Sequence, residues 1–450
     1  MAKQSVHVRD MTQGSPIRLI LSFAVPLFIG NIFQQFYSMV DTMVVGYHLG
    51  DTGIAAIGAT ASLYSLLINF ANGLNNGYGI IVTQRFGAHD RKNMKQAIAG
   101  MMILDLCICL FLTAATLVFL RTLMNFLNTP ASVFDMAYSY IRTICLGIVT
   151  TIGYNMFAAI LRAMGNSRSP LYFLIASSLL NIALDILFVV GLDFGIGGAA
   201  LATVLAQSVA AVGCGIYVFT HYRDYMPKKT DFHVPKSMLK DLFSTGFAMA
   251  LMSSLVDFGS VIFQRANNLL GETIIAAHAA SRKIMMIMLQ PQVTIAVANS
   301  TFVGQNWGAG KYERIRSTLK KVLLIEVCWS LFAIAVIYLF GGQLVSVTTG
   351  TSDPEVVSNA VMSLRLHFSM FPFLGVLCCL RHTMQAMGQK TAPVLSSCIE
   401  LAMKFFSASV LIPKLGFLGT CITEPVTWCL MVIFLAIVYL HKQKTLFAET

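Results

Sequence analysis

Stretches of about 20 mostly apolar residues, each long enough to cross a bilayer, recur from Leu19 to Tyr439 with short polar links between them. Lipid offers backbone N–H and C=O groups no water, so each stretch must close its hydrogen bonds internally as a helix. The apolar runs fall at residues 17–46, 53–84, 96–120, 132–160, 169–191, 196–221, 241–270, 273–304, 317–340, 355–380, 392–412 and 416–440. They predict an all-α polytopic membrane protein of twelve transmembrane helices. Composition agrees: 11% charged and 56% hydrophobic residues do not suit a soluble enzyme or a nucleic-acid binder, since soluble domains carry about 25% charged residues. The first run is too long for the apolar core of a signal peptide and reads as a retained span. The ten cysteines lie in apolar stretches without CxxC spacing and read as core thiols.

The net charge of +11 is distributed by loop. Of the 31 Lys and Arg residues, 23 lie at the termini and in loops after even-numbered spans, while loops after odd-numbered spans hold only Arg121 and Lys414. The positive-inside rule then predicts cytoplasmic N- and C-termini. The other six bases, Arg142, Arg265, Arg282, Lys283, Arg365 and Lys404, fall inside predicted spans.

The halves repeat. GDTGIAA at Gly50–Ala56 matches GETIIAA at Gly271–Ala277, and the loop around Gly87 matches the loop around Gly308, both at an offset of 221 residues. AMGNSRSP at Ala163–Pro170 matches AMGQKTAP at Ala386–Pro393 at an offset of 223. Each repeat holds six helices, an even number, so the two lobes are expected to be related by a pseudo-two-fold axis along the membrane normal, with substrate bound between them. Residues 1–222 form the expected N-lobe, 223–240 a basic, proline-containing cytoplasmic linker, and 241–450 the C-lobe.

These loops, together with PLFIGNIFQQFYSMVDTMVVGYHLG in the first span and STFVGQNWGAG in the second half, resemble the multidrug and toxic compound extrusion (MATE) family over nearly the whole chain. The N-lobe pattern is closer to the prokaryotic branch named after DNA-damage-inducible protein F. The resemblance implies a cation-coupled exporter whose two lobes open alternately to each side, with no cofactor beyond a coupling H⁺ or Na⁺, contacting membrane lipid and expected as a monomer.

An ionisable group inside a span costs at least about 2.5–3.5 kcal/mol and is a functional candidate by default. Asn181 and Asp185 are four residues apart on one helix face, where an amide oxygen and a carboxylate can meet one small cation; Asp41 approaches from the first helix. The family places an acid on the first helix, an asparagine and an acid on the fifth, a threonine on the sixth and a tyrosine on the fourth. The matching residues are Asp41, Asn181, Asp185, Thr203 and Tyr140, with Na⁺ at the first four or H⁺ on the acids as open alternatives. A structural hydrogen-bond network without an ion is the plainer alternative. Pro26 removes a backbone bond within the first span and predicts a bend, either gating or static; its repeat equivalent is Phe247. Asp105 and Glu326 are repeat partners, which points to architecture, a pairing acid near the cytoplasmic end, with transport chemistry as the alternative.

The C-lobe spans contain Asp257, Glu326, Glu400 and Glu424 against Arg265, Arg282, Lys283, Arg365 and Lys404. Such charges should pair or line a wet cavity. Glu400 and Lys404 can pair at i, i+4, and His278 shares a face with Arg282, while Lys283 points partly away. Asp257, His278, Arg282, Lys283, Glu400 and Lys404 are therefore candidates for a substrate cavity as well as for structural pairing; the other histidines read as solvated. Clustered Met249, Met252, Met285, Met286 and Met288 suit varied amphipathic ligands, and a surplus base facing the cavity would favour anionic ones. The expected activity is export of small amphipathic organic compounds by antiport. A lipid or lipid-linked sugar flippase of related two-lobe design is the alternative. An enzyme is disfavoured, since no HExxH, GxSxG or Walker loop occurs.

Overall fold

The computed structural model describes residues 8–127, 129–350 and 353–446; Lys3 and the side chain of Lys444, both in the loop-charge count, lie outside the described part. Helices α1 (residues 16–49) and α2 (residues 51–87) meet at Gly50, whose φ of 65° and ψ of −160° is the one non-helical backbone between Pro16 and Gly87. Then come α3 (Arg91–Phe126), α4 (Phe134–Leu146 and Ile148–Ala163, bent by 45°), α5 (Arg168–Gly191) and α6 (Gly195–His221). The second half holds α7 (Lys236–Asn268), α8 (Glu272–Gly308), α9 (Tyr312–Thr349), α10 (Pro354–Ser369 and Phe371–Ala386, bent by 52°), α11 (Thr391–Leu415) and α12 (Phe417–Leu446).

Eight of these segments pass as spans by length and hydropathy when α1 and α2 count as one, and the two bent pairs make ten. Dividing α1 from α2 and adding α8, whose apolar run Arg282 and Lys283 interrupt, gives the twelve expected, among the described residues. Much apolar surface faces outward, as lipid requires: Leu106, Leu110, Phe111, Val118 and Phe119 of α3 are all exposed. All ten cysteines are free, and Cys107, Cys328 and Cys398 are exposed on helix faces rather than in the core.

The repeat is written into the backbone. Left-handed residues fall at matching places: Gly50 with Gly271, His89 with Gly310, Gly165 with Gly388 and Gly195 with Gly416. At Gly165 the need for glycine is also steric, because a Cβ there would lie 2.2 Å from the Arg9 carbonyl oxygen. Both α5 and α11 also switch from α- to π-type hydrogen bonding, at Ile186–Gly191 and Ser407–Leu411. Pro26 is buried, and the surrounding backbone keeps helical φ/ψ values.

The chain folds as two compact units. The first comprises residues up to Met11 and Val25–Ala250. Its core packs α2, α3, α4, α6 and the start of α7 around Tyr78, Met101, Ile160, Cys214 and Leu242. Gly73 and Gly77 let α2 meet α7 backbone to backbone: a Cβ at Gly77 would lie 2.5 Å from Gly246 Cα. The second unit comprises Thr12–Ala24 and the chain from Leu251 onward. The first turns of α1 join it because Lys311 Nζ donates to the Thr12 carbonyl at 2.9 Å and Arg314 Nη2 to the Gly14 carbonyl at 2.7 Å. Here α8 packs on α9 and both arms of α10.

Candidate functional site

In the first unit, helical spacing builds one polar focus. Tyr37 and Asp41 lie one turn apart on α1; Ser177, Asn181 and Asp185 occupy successive turns of α5; Thr203 and Gln207 lie one turn apart on α6. Tyr37, Ser177, Ser178, Asn181, Thr203, Ala206 and Gln207 line a small recess. The Asp41 and Asp185 carboxyl groups lie within electrostatic range of each other. Tyr140 of α4, with Tyr37 and Tyr64, lies within electrostatic range of Asp41. Of the five residues named from the sequence, Asn181 and Thr203 share the recess, Asp41 and Asp185 lie within electrostatic range of each other, and Tyr140 lies within that range of both acids.

The hydrogen bonding leaves this focus rich in acceptors. Ser177 donates to the Ala206 carbonyl at 3.0 Å, Ser178 to Leu174 at 2.8 Å and Thr203 to Ala199 at 3.1 Å, so each hydroxyl spends its proton on the backbone. Asp41 Oδ1, both Asp185 oxygens and both polar atoms of the Asn181 amide have no protein partner. Asp185 is fully buried and Asn181 is 2% exposed. Two carboxyls this close cannot both carry charge without a cation or proton between them. Asp185 is also the last α-helical residue before the π segment of α5, a distortion frequent at functional sites. Arg142, the base inside a first-half span, is exposed.

The sequence reasoning missed Tyr37, Tyr64, Ser177, Ser178 and Gln207. Four-residue spacing from Asp41, Asn181 and Thr203 was an available signal for Tyr37, Ser177 and Gln207.

The second unit sets its acids against bases. Arg282 Nη1 meets Glu424 Oε1 at 2.6 Å, and His367 Nε2 lies 3.4 Å from Glu424 Oε2. His278, 4% exposed, is 3.5 Å from the Asn267 amide, which also accepts from Thr420. Lys404 Nζ meets Glu400 Oε1 and Ser260 Oγ, both at 2.9 Å, and Arg381 approaches Glu400 at 3.9 Å. The i, i+4 pair therefore forms, and Lys404 is buried within it. Asp257 is half-buried on α7. Lys283 and Arg365 are exposed, Arg365 with its guanidinium 5.4 Å from the Tyr338 ring centroid. The reading of His367 as solvated is corrected: it is 4% exposed, because α10 carries it inward against Glu424 and Trp428. Arg282 and Lys404 are thus neutralised, two of the five bases that the sequence places inside second-half spans.

Comparison with known proteins follows the same division into halves. The chain is 27% identical over 383 residues, 84% of each partner, to the probable multidrug resistance protein YpnP of Bacillus subtilis. To YoeA of the same organism, also a probable multidrug resistance protein, it is 23% identical over 372 residues, 81% of this chain and 80% of that one. A solved structure described as MATE in the bent conformation superposes with a TM-score of 0.91 at 21% identity, covering 98% of both chains. The two-lobe, twelve-helix architecture is therefore the one seen in MATE structures. The MatE family pattern matches twice, at residues 26–187 and 248–408, one copy per repeat and together well over half the chain. On that match the chain belongs to the MatE family, the multidrug and toxic compound extrusion transporters.

Proposed function

We propose that this chain exports small amphipathic organic compounds across a bacterial inner membrane, coupled to inward proton movement through Asp41 and Asp185. The observation that carries the coupling is the pair of acids within electrostatic range of each other, with Asp41 Oδ1 and both Asp185 oxygens buried and without a protein partner. Tyr37, Tyr64 and Tyr140 would tune that proton, and Asn181 and Thr203 would orient it. Na⁺ is the second reading, favoured by the acceptor-rich recess between α1, α5 and α6.

The proposal keeps both termini cytoplasmic, on the loop-charge asymmetry, and treats the chain as a monomer of the DNA-damage-inducible protein F type branch, on its first-span pattern. It also keeps residues 1–222 and 241–450 as lobes joined by 223–240. Pro26 is assigned a bending role as occupancy of Asp41 changes. The C-lobe candidates Asp257, His278, Arg282, Lys283, Glu400 and Lys404 are assigned to the substrate side, with Arg282–Glu424 and Lys404–Glu400 holding its shape. Dye efflux from vesicles under an imposed H⁺ gradient, or under an imposed Na⁺ gradient alone, tests the coupling. Efflux driven only by Na⁺ would replace the proton, and efflux indifferent to both would remove the antiport reading.

A further inference from the structure

The stretch joining the two repeats packs against α3 as a folded platform. Tyr222, Met226 and Met238 are buried, and Lys228 N donates to Asp231 Oδ2 at 2.8 Å. Val234, Leu239 and Leu242 close over Gly100 of α3, where a Cβ would lie 2.6 Å from Leu242 Cδ1. The Tyr225 ring has Phe86 at 6.0 Å between centroids and the Arg91 guanidinium at 5.4 Å. This packing holds six exposed bases in place: Arg91 and Lys92 at the start of α3, Lys228 and Lys229 of the joining stretch, and Lys236 and Lys240 at the start of α7. None of the six forms an ion pair among the described residues.

On α7 the bases continue into an aromatic face. Lys236, Lys240, Phe243 and Phe247 recur at i, i+4, i+7 and i+11, so they share one side of the helix, and all four are exposed. The apolar run of this span starts at residue 241, which puts both lysines within about 8 Å of its edge at about 1.5 Å per residue. That is the depth of the headgroup layer, about 5–8 Å on each side of the hydrocarbon. Phe243 and Phe247, deeper along the same face, stack with centroids 5.8 Å apart and are 47% and 43% exposed. Phe232, in the short 3₁₀ turn beside Lys228 and Lys229, is 44% exposed.

The matching loop of the second half spends its bases on protein. Lys311 and Arg314 donate to the Thr12 and Gly14 carbonyls, and Arg316 lies 3.9 Å from Glu313. On the platform the nearby acids do not match the bases. Asp90 and Asp231 accept from backbone N–H groups of their own turns, which leaves Asp224 and Asp241 as the exposed acids of this region. Orienting a span needs loop charge of the right sign but neither a fixed fold nor an aromatic face below it. We propose that the platform binds anionic phospholipid, its bases holding the phosphate-bearing headgroup and the Phe243–Phe247 pair lying against an acyl chain. A zwitterionic lipid offers the same chains and phosphate with a cation attached, so the bases select for net headgroup charge.

Titration of the purified full chain in detergent with phosphatidylglycerol, or with phosphatidylcholine of the same acyl chains, tests this when bound lipid is counted by native mass spectrometry. The wild type should bind phosphatidylglycerol more tightly. Each base at an anionic lipid surface contributes about fivefold, so Lys236→Gln with Lys240→Gln should weaken phosphatidylglycerol about 25-fold and leave phosphatidylcholine unchanged. Phe243→Ala with Phe247→Ala should weaken both lipids alike. Lys228→Gln with Lys229→Gln carries the same expectation as the α7 pair if that variant does not fold. Equal binding of the two lipids by the wild type, or phosphatidylglycerol binding unchanged in both lysine pairs, overturns the site. Displacement of phosphatidylglycerol by millimolar inorganic phosphate would assign the platform to a soluble anion and overturn the lipid. A chain that bound phosphatidylglycerol in this way but moved no dye would refute the exporter reading and leave the lipid site standing.

Discussion

The two halves of one duplicated sequence treat their buried charges differently. In the first, Asp41 and Asp185 face each other, and the base inside a first-half span, Arg142, is exposed. In the second, Glu424 meets Arg282 at 2.6 Å and Glu400 meets Lys404 at 2.9 Å. Both arrangements keep net charge out of an apolar interior. Where a base does it, the neutralisation is permanent and structural. Where only a second acid is present, a mobile cation must do it, and the site can load and unload. Duplication supplied the scaffold, and the choice of partner separates coupling from shape.

The largest expected effect breaks the first arrangement. Asp41→Asn or Asp185→Asn should lower gradient-driven dye efflux by about 5- to 150-fold, the usual range of a coupling free energy, with membrane insertion unchanged on immunoblots. Next comes the second arrangement. Glu400→Gln leaves Lys404 buried beside Ser260 without its counter-charge and should cost about 3 kcal/mol in detergent melts. The double variant Glu400→Gln, Lys404→Met should return to within about 1 kcal/mol of wild type, since replacing both partners removes the uncompensated charge.

A smaller effect sharpens the contrast in packing. Gly77 sits against the Gly246 backbone, whereas the repeat equivalent, Ala298, already carries a methyl group and is fully buried. Gly77→Ala should therefore destabilise by about 1–3 kcal/mol through overpacking. The smallest effect concerns a turn. His89 holds a φ of 55° where the second half uses Gly310 at 68°. His89→Gly should gain about 0.5 kcal/mol, the relief of left-handed strain less the added chain entropy. A melting temperature lowered by that substitution would show that the ring's approach to Asp10, 3.9 Å away, outweighs the strain.

Much of this was legible before the structure. Hydropathy located twelve spans because lipid imposes one period and one length, and the repeat was visible because the loops at Gly87, Gly308, Ala163 and Ala386 keep their turn residues. The candidate coupling residues came from the family resemblance, and the one-face spacing of Asn181 and Asp185 from the sequence itself. What stayed hidden was long-range. Arg282 and Glu424 are 142 residues apart, and nothing local to either names the other. His367 looked solvated because its neighbours on α12 cannot be read from α10 itself. The π segment after Asp185 left no mark either: ILFVVG reads as an ordinary apolar run, and the change in hydrogen bonding is a matter of tertiary packing. Glu326 read as a pairing acid, yet it is fully buried and both its carboxyl oxygens are without a protein partner.

In the proposed coupling, the acid pair of the first half, and not the paired charges of the second, exchanges its proton for substrate. Proton release on adding a cationic dye to the purified chain in weakly buffered detergent, read with a soluble pH indicator, tests it most directly. Release should disappear in Asp185→Asn and persist in Glu424→Gln. Release undiminished in Asp185→Asn, or abolished only by Glu424→Gln, would contradict it.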